Sequence, residues 1–78
     1  MNIDNPLSSL KDGQTAQVTR LLSTGSMRRR LQDIGLIEGT TVECLHRSPS
    51  GDPVAYAIRG ATIALRSEDS GSVLVRLQ

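Results

Sequence analysis

A mostly β domain, folded as a small five-stranded, partly open barrel with one short helix after the first strand, is what this sequence predicts, and three observations predict it. The chain has 78 residues, room for a single core and no second domain. It carries one aromatic residue, Tyr56, and no Phe or Trp, so the core must be built from Leu, Ile, Val and Ala, which favours a compact arrangement of short strands. Turn residues recur at Asp12-Gly13, Glu38-Gly39, Ser48–Pro53 and Arg59-Gly60, cutting the chain into strand-sized pieces. Near-closure into a barrel removes most unpaired strand edges. A helix after the first strand fits an SH3-like barrel better than an OB-fold, whose helix usually follows the third strand.

The elements follow in order. Leu7 and Leu10 precede the Asp12-Gly13 turn, after which Gln14 to Leu22 carries Ala16 and Val18 at alternate positions, as in a half-buried strand. Ser23 to Ser26 (STGS) reads as a loop, with Ser26 the predicted N-cap of a helix whose Met27, Leu31 and Ile34 share one face. Gly35 suits the left-handed residue just past the helix end, and Leu36 is placed to pack back on Leu31 in a Schellman motif. Glu38-Gly39 turns the chain into Thr40 to Arg47, where Val42, Cys44 and His46 alternate with Glu43, Leu45 and Arg47. Pattern alone leaves the inward face open, with Val42 and Cys44 favoured.

Ser48 to Pro53 (SPSGDP) concentrates turn residues, and Pro53 cannot donate to a ladder, so an exposed hairpin loop is predicted there. Val54, Tyr56 and Ile58 share a face of the next strand; Arg59-Gly60 turns it into another, with Ile63 and Leu65 inward. Ser67 is predicted to cap one helical turn carrying Glu68 and Asp69 at its positive end, before Gly71 and a last strand of Val73, Val75 and Leu77. The count is five strands and two helical pieces, the second a helical turn before the last strand.

Several function classes are disfavoured. The formal net charge is +1, so there is no broad basic field to bind nucleic acid by counterion release. One aromatic residue is too few for base stacking or for a proline-peptide groove. Catalysis is not indicated: His46 is the only histidine, no Ser, His and carboxylate set has suggestive spacing, and no Gly-rich phosphate loop occurs. The single cysteine, Cys44, cannot form an intrachain disulfide, and the N-terminal MNIDNPLSSL lacks the charged start and apolar run of a signal, so a cytoplasmic location is expected. No stretch approaches the ~20 apolar residues of a membrane span, so direct membrane insertion is not expected.

What remains points to contact rather than chemistry. Arg28, Arg29 and Arg30 lie near a helix N-terminus and Asp33 near its C-terminus, each opposing the macrodipole at a cost of about 0.3 to 1 kcal/mol. A local cost of this kind is what a functional surface tends to show, although pairs of Arg29 or Arg30 with Asp33 would recover a few tenths. A docking face and a plain solvated face both fit. In the SPSGDP loop, Pro49, Gly51, Asp52 and Pro53 form either a recognition loop or a simple hairpin connection. Cys44 and His46, on one strand face by alternation, offer two ligands to a transition metal, but two ligands are not a site. A core cysteine and a surface histidine is the preferred reading.

LKDGQTAQV near the start, RRRLQDIGLIEGTTVE with the helix and turn, SPSGDPV, IALRSED and the closing VLVRL occur in one order over nearly the whole chain. In this it resembles the FeoA-like family, ferrous iron transport protein A, made of small SH3-like domains. The resemblance implies a non-enzymatic accessory role in ferrous iron uptake, with the membrane transporter that carries a G-protein domain as partner. With only two candidate ligands, no cofactor is expected to be required, and ferrous iron or another transition metal would be at most a weak ligand. The family pattern usually has an aliphatic residue where Cys44 stands and a basic one where His46 stands. The alternative is a metal-sensing SH3-like regulatory domain similar to that of iron-dependent repressors. An exposed edge strand would also offer a homodimer contact.

Overall fold

Positive backbone φ at both Arg59 (50°) and Gly60 (84°) gives the tight primed turn that a two-residue hairpin requires, and the hairpin it closes is one end of the sheet. The computed structural model describes residues 4–78; the first three residues, part of the N-terminal stretch read above as lacking a signal, lie outside the described residues. The strands are β1 (Asn5–Pro6), β2 (Thr15–Leu21), β3 (Thr41–Arg47), β4 (Val54–Ile58), β5 (Ala61–Leu65) and β6 (Val73–Leu77), with helices α1 (Gly25–Asp33) and α2 (Ser67–Ser70) and a 3-10 turn over Leu7–Ser9. They form one antiparallel sheet in the order β1-β6-β2-β3-β4-β5.

The five predicted strands correspond to β2 to β6. The sixth, β1, is two residues paired with Val75 and Leu74 at the far end of the chain; so short a piece carries no pattern of its own. The domain is mostly β as predicted, but β1 and β5 are the two edges of the sheet and no ladder joins them, so hydrogen bonds do not close the barrel.

The core is aliphatic around one ring. Leu7, Leu31, Leu36, Val42, Cys44, Tyr56, Val73 and Val75 are all fully buried, and Met27, Ile34 and Ile63 pack against that cluster from its margin. Helix α1 therefore buries the face predicted for it. Its end is the predicted Schellman motif: Leu36 N–H donates to the Leu31 carbonyl at 3.0 Å and Gly35 N–H to Gln32 at 3.0 Å, with Gly35 at φ 105°.

Both predicted helix caps are displaced. The first bond of the α1 ladder runs from Arg28 N–H to the Thr24 carbonyl, which makes Thr24 and not Ser26 the N-cap. Ser67 is likewise the first residue inside α2 rather than its cap. Its N–H donates to Asp52 Oδ1 at 2.8 Å, so the cap comes from the SPSGDP loop.

Candidate docking surface

The three arginines do not form one free basic face. Helical spacing turns successive residues by 100°, and each guanidinium meets different surroundings. Arg28 donates to the Leu21 carbonyl at 3.2 Å, tying the helix to the end of β2. Arg30 forms an ion pair with Asp69 of α2 at 2.9 Å, with the arginine side chain 61% exposed and the aspartate 12%. Arg29 is exposed and its guanidinium has no hydrogen bond or ion pair among the described residues. Asp33 is exposed and pairs with neither Arg29 nor Arg30. The partner of Arg30 lies on a remote segment that helical spacing could not reveal.

Beside Arg30 a groove of about 580 Å³ opens between α1 and the β5–α2 corner. Met27, Ile34, Ile63 and Leu65 supply its apolar part; Arg30, Arg66, Glu68 and Asp69 stand among them. A second hollow, about 270 Å³, lies on the other side of the sheet between His46, Pro49, Pro53, Ala55 and Ala64. Ala64 of β5 lines both. The arginine helix and the SPSGDP loop, far apart in sequence, thus flank one edge strand.

The loop is held internally. Gly51, at φ 91°, donates its N–H to Ser48 at 2.8 Å; Ser48 N–H donates to Pro53 at 3.2 Å; the Asp52–Pro53 peptide is cis. With Asp52 bonded to α2, its carboxylate serves the fold first. Pro49 is the exposed proline of the pair and Pro53 is half-buried.

Cys44 and His46 do not share a face. Cys44 pairs with Tyr56, whereas His46 pairs with Ala55, because the register shifts at a bulge between them. Since Tyr56 and Ala55 are consecutive residues of β4, their side chains point to opposite sides. Cys44 is fully buried as predicted, while His46 faces the proline hollow. Burial pushes the Cys44 thiol up from its ordinary pKa, reinforced by the Asp12 carboxylate, whose Oδ1 lies 4.0 Å from Sγ. Burial also raises the Tyr56 phenol, which donates to the Leu7 carbonyl at 3.4 Å. Among the described residues no group of three or more His, Cys, Asp or Glu side chains is gathered.

Two features escaped the sequence reading. Arg59 lies over Gly35: a Cβ there would stand 2.5 Å from Arg59 Cδ. The other is the place of β5 in the sheet: the strand was predicted, but that its uncharged, proline-free run ATIAL forms a sheet edge was not.

A small, mostly β antiparallel domain of this kind belongs to the class of SH3-like domains. Residues 5–77 match the FeoA domain model, and the chain belongs to that family, one of ferrous iron transport. A relative from Porphyromonas gingivalis (strain ATCC BAA-308 / W83), an Fe(2+) transport protein A/Fe(2+) transporter FeoB fusion protein, is 34% identical over 71 residues. That match takes in 91% of this chain but 8% of the relative, so the chain spans a small fraction of the fusion's length. The FeoA-like protein of Clostridium acetobutylicum superposes with a TM-score of 0.91 at 26% identity, over 99% of this chain and 90% of that one. A zinc complex of FeoA from Stenotrophomonas maltophilia, a prokaryotic SH3 domain protein put forward as a ferrous iron transport activating factor, gives 0.80 at 25% identity over 96% and 88%. A manganese-dependent transcriptional repressor gives 0.87 at 24% identity over 100% of this chain and 44% of its own, a likeness of fold alone.

Proposed function

We propose that this domain is a non-enzymatic accessory of ferrous iron uptake that docks on the cytosolic, G-protein part of a membrane Fe(2+) transporter. The observation that carries the reading is the fusion relative, in which a stretch like this chain and an Fe(2+) transporter are one polypeptide. Covalent linkage there supplies a high effective concentration, and in the reading proposed here the contact itself runs through the surface of this domain. The groove beside Arg30, exposed Arg29 and the Pro49 side of the SPSGDP loop are the surface assigned to it. Ferrous iron is the transporter's cargo, and no cofactor is required of the domain.

The alternative, a metal-sensing regulatory domain, needs a convergent ligand set. Cys44 and His46, on opposite sides of the sheet, do not provide one, and docking is the better reading. The test is to add this chain to its cognate transporter reconstituted in nanodiscs. Saturable binding, with slowed hydrogen exchange on the transporter's G-protein domain, is the expected result; no binding at a large excess of chain overturns the reading.

A further inference from the structure

We infer that the free edge of β5 accepts an extended segment of the transporter as an added strand, its side chains alternating between the helix groove and the proline hollow. This rests on the reading that the transporter is the partner. In a two-residue hairpin the closing pair exchanges both hydrogen bonds, and bonded and non-bonded pairs then alternate. Ile58 and Ala61 close this one, so Ala61, Ile63 and Leu65 turn their backbone groups to β4. Thr62 and Ala64 turn theirs outward, and among the described residues neither bonds to any loop.

Such an edge is normally guarded by a charge, a proline or brevity. At the opposite edge, β1 is two residues long and one of them is Pro6. β5 has none of these devices over Ala61–Leu65, and four of those five residues are at least partly exposed. Side chains of an added strand alternate between faces, and here each face has its own cavity: Met27, Ile34 and Ile63 on one side, Pro49, Pro53 and Ala55 on the other, with Ala64 bordering both.

The geometry describes the incoming segment: a few extended residues, an aliphatic one facing the groove and its neighbour facing the hollow beside His46. Backbone bonds supply affinity and the two cavities supply selection.

The test is amide hydrogen exchange of the whole chain, free and with the transporter in nanodiscs, together with the variant Ala64→Pro. Proline at an outward-facing edge position removes only a free N–H and leaves the β4 ladder whole. Exchange at Thr62 and Ala64 should slow by about tenfold or more on binding, and Ala64→Pro should bind about tenfold more weakly, the equivalent of one good interaction. Unchanged Thr62 and Ala64 in a chain protected elsewhere, or undiminished binding by Ala64→Pro, refutes strand addition while leaving transporter docking intact. Slowing that depends on protein concentration without transporter assigns the edge to a second copy and also refutes it. Should Ala64→Pro not fold, exchange in the unmodified chain decides. If the chain binds no transporter at all, the functional reading fails and takes this inference with it.

Discussion

At Gly35 the backbone and a neighbouring side chain make the same demand. A φ of 105° strains any L residue, and an added Cβ would fall 2.5 Å from Arg59 Cδ and 3.4 Å from Ile58 Cγ2. Gly35→Ala should cost about 1 to 3 kcal/mol, read as a lower urea midpoint. Adding Arg59→Ala should recover the steric share and leave the backbone share; simple additivity of the two losses would disprove the contact. Asp52 makes a second prediction: Asp52→Ala should cost about 1 kcal/mol as a lost helix cap, with Asp52→Asn milder because an acceptor remains. Cys44 makes a third, with a definite sign. Its folded pKa is raised by burial, so below about pH 8.5 both states hold the proton. Above that the unfolded chain releases a proton the folded chain keeps, and stability declines as pH rises toward the folded value. Urea midpoints measured at increasing alkaline pH should fall, and Cys44→Ala should remove the earlier part of that fall, leaving the part due to Tyr56, which begins near pH 10.

Helix α1 separates what is local from what is not. Its buried face and its Schellman end were legible because the determinants, Met27, Leu31, Ile34, Gly35 and Leu36, lie within a few turns of one another. The roles of its arginines were not, since Arg28 reaches the end of β2 and Arg30 reaches α2. For the same reason Val42 and Cys44 read correctly as inward, but His46 did not follow them, because the bulge that separates it from Cys44 is imposed by pairing with β4. The Arg30–Asp69 pair is largely exposed on the arginine side and should contribute about 0.2 to 1 kcal/mol, less in high salt; it orients α1 against α2 more than it stabilises the fold. Arg29, whose guanidinium has no partner among the described residues, is the charge the docking proposal assigns to association. Arg29→Glu should leave stability within about 0.5 kcal/mol and slow association with the transporter at low salt, a difference that shrinks as salt is raised. An equal slowing at all salt concentrations would mean that Arg29 acts by shape rather than charge.

For the molecule as a whole, one aliphatic core must supply nearly all of the stability. At roughly 0.05 to 0.15 kcal/mol per residue, a chain of this length has about 4 to 12 kcal/mol to lose. Strand count and order were only partly legible on this scale, because the edge strand β1 and its partner β6 come from opposite ends of the chain, and nothing in Asn5–Pro6 announces pairing. The core has a single ring, Tyr56, fully buried beneath the Leu7 carbonyl to which it bonds, while Leu36 is fully buried just beyond the end of α1. These two residues allow the cooperativity of the fold to be tested. Leu36→Ala should cost about 2 to 5 kcal/mol, a large part of the total, and bring the protein near its threshold. If the sheet and α1 unfold as one unit, Tyr56 fluorescence and far-UV circular dichroism should trace the same urea transition in the parent and in Leu36→Ala, shifted but not split. Separation of the two probes in the variant would show that α1 detaches first, leaving the sheet folded without it. Binding at the groove, whose walls come from both α1 and β5, would then depend on a helix that docks and undocks independently.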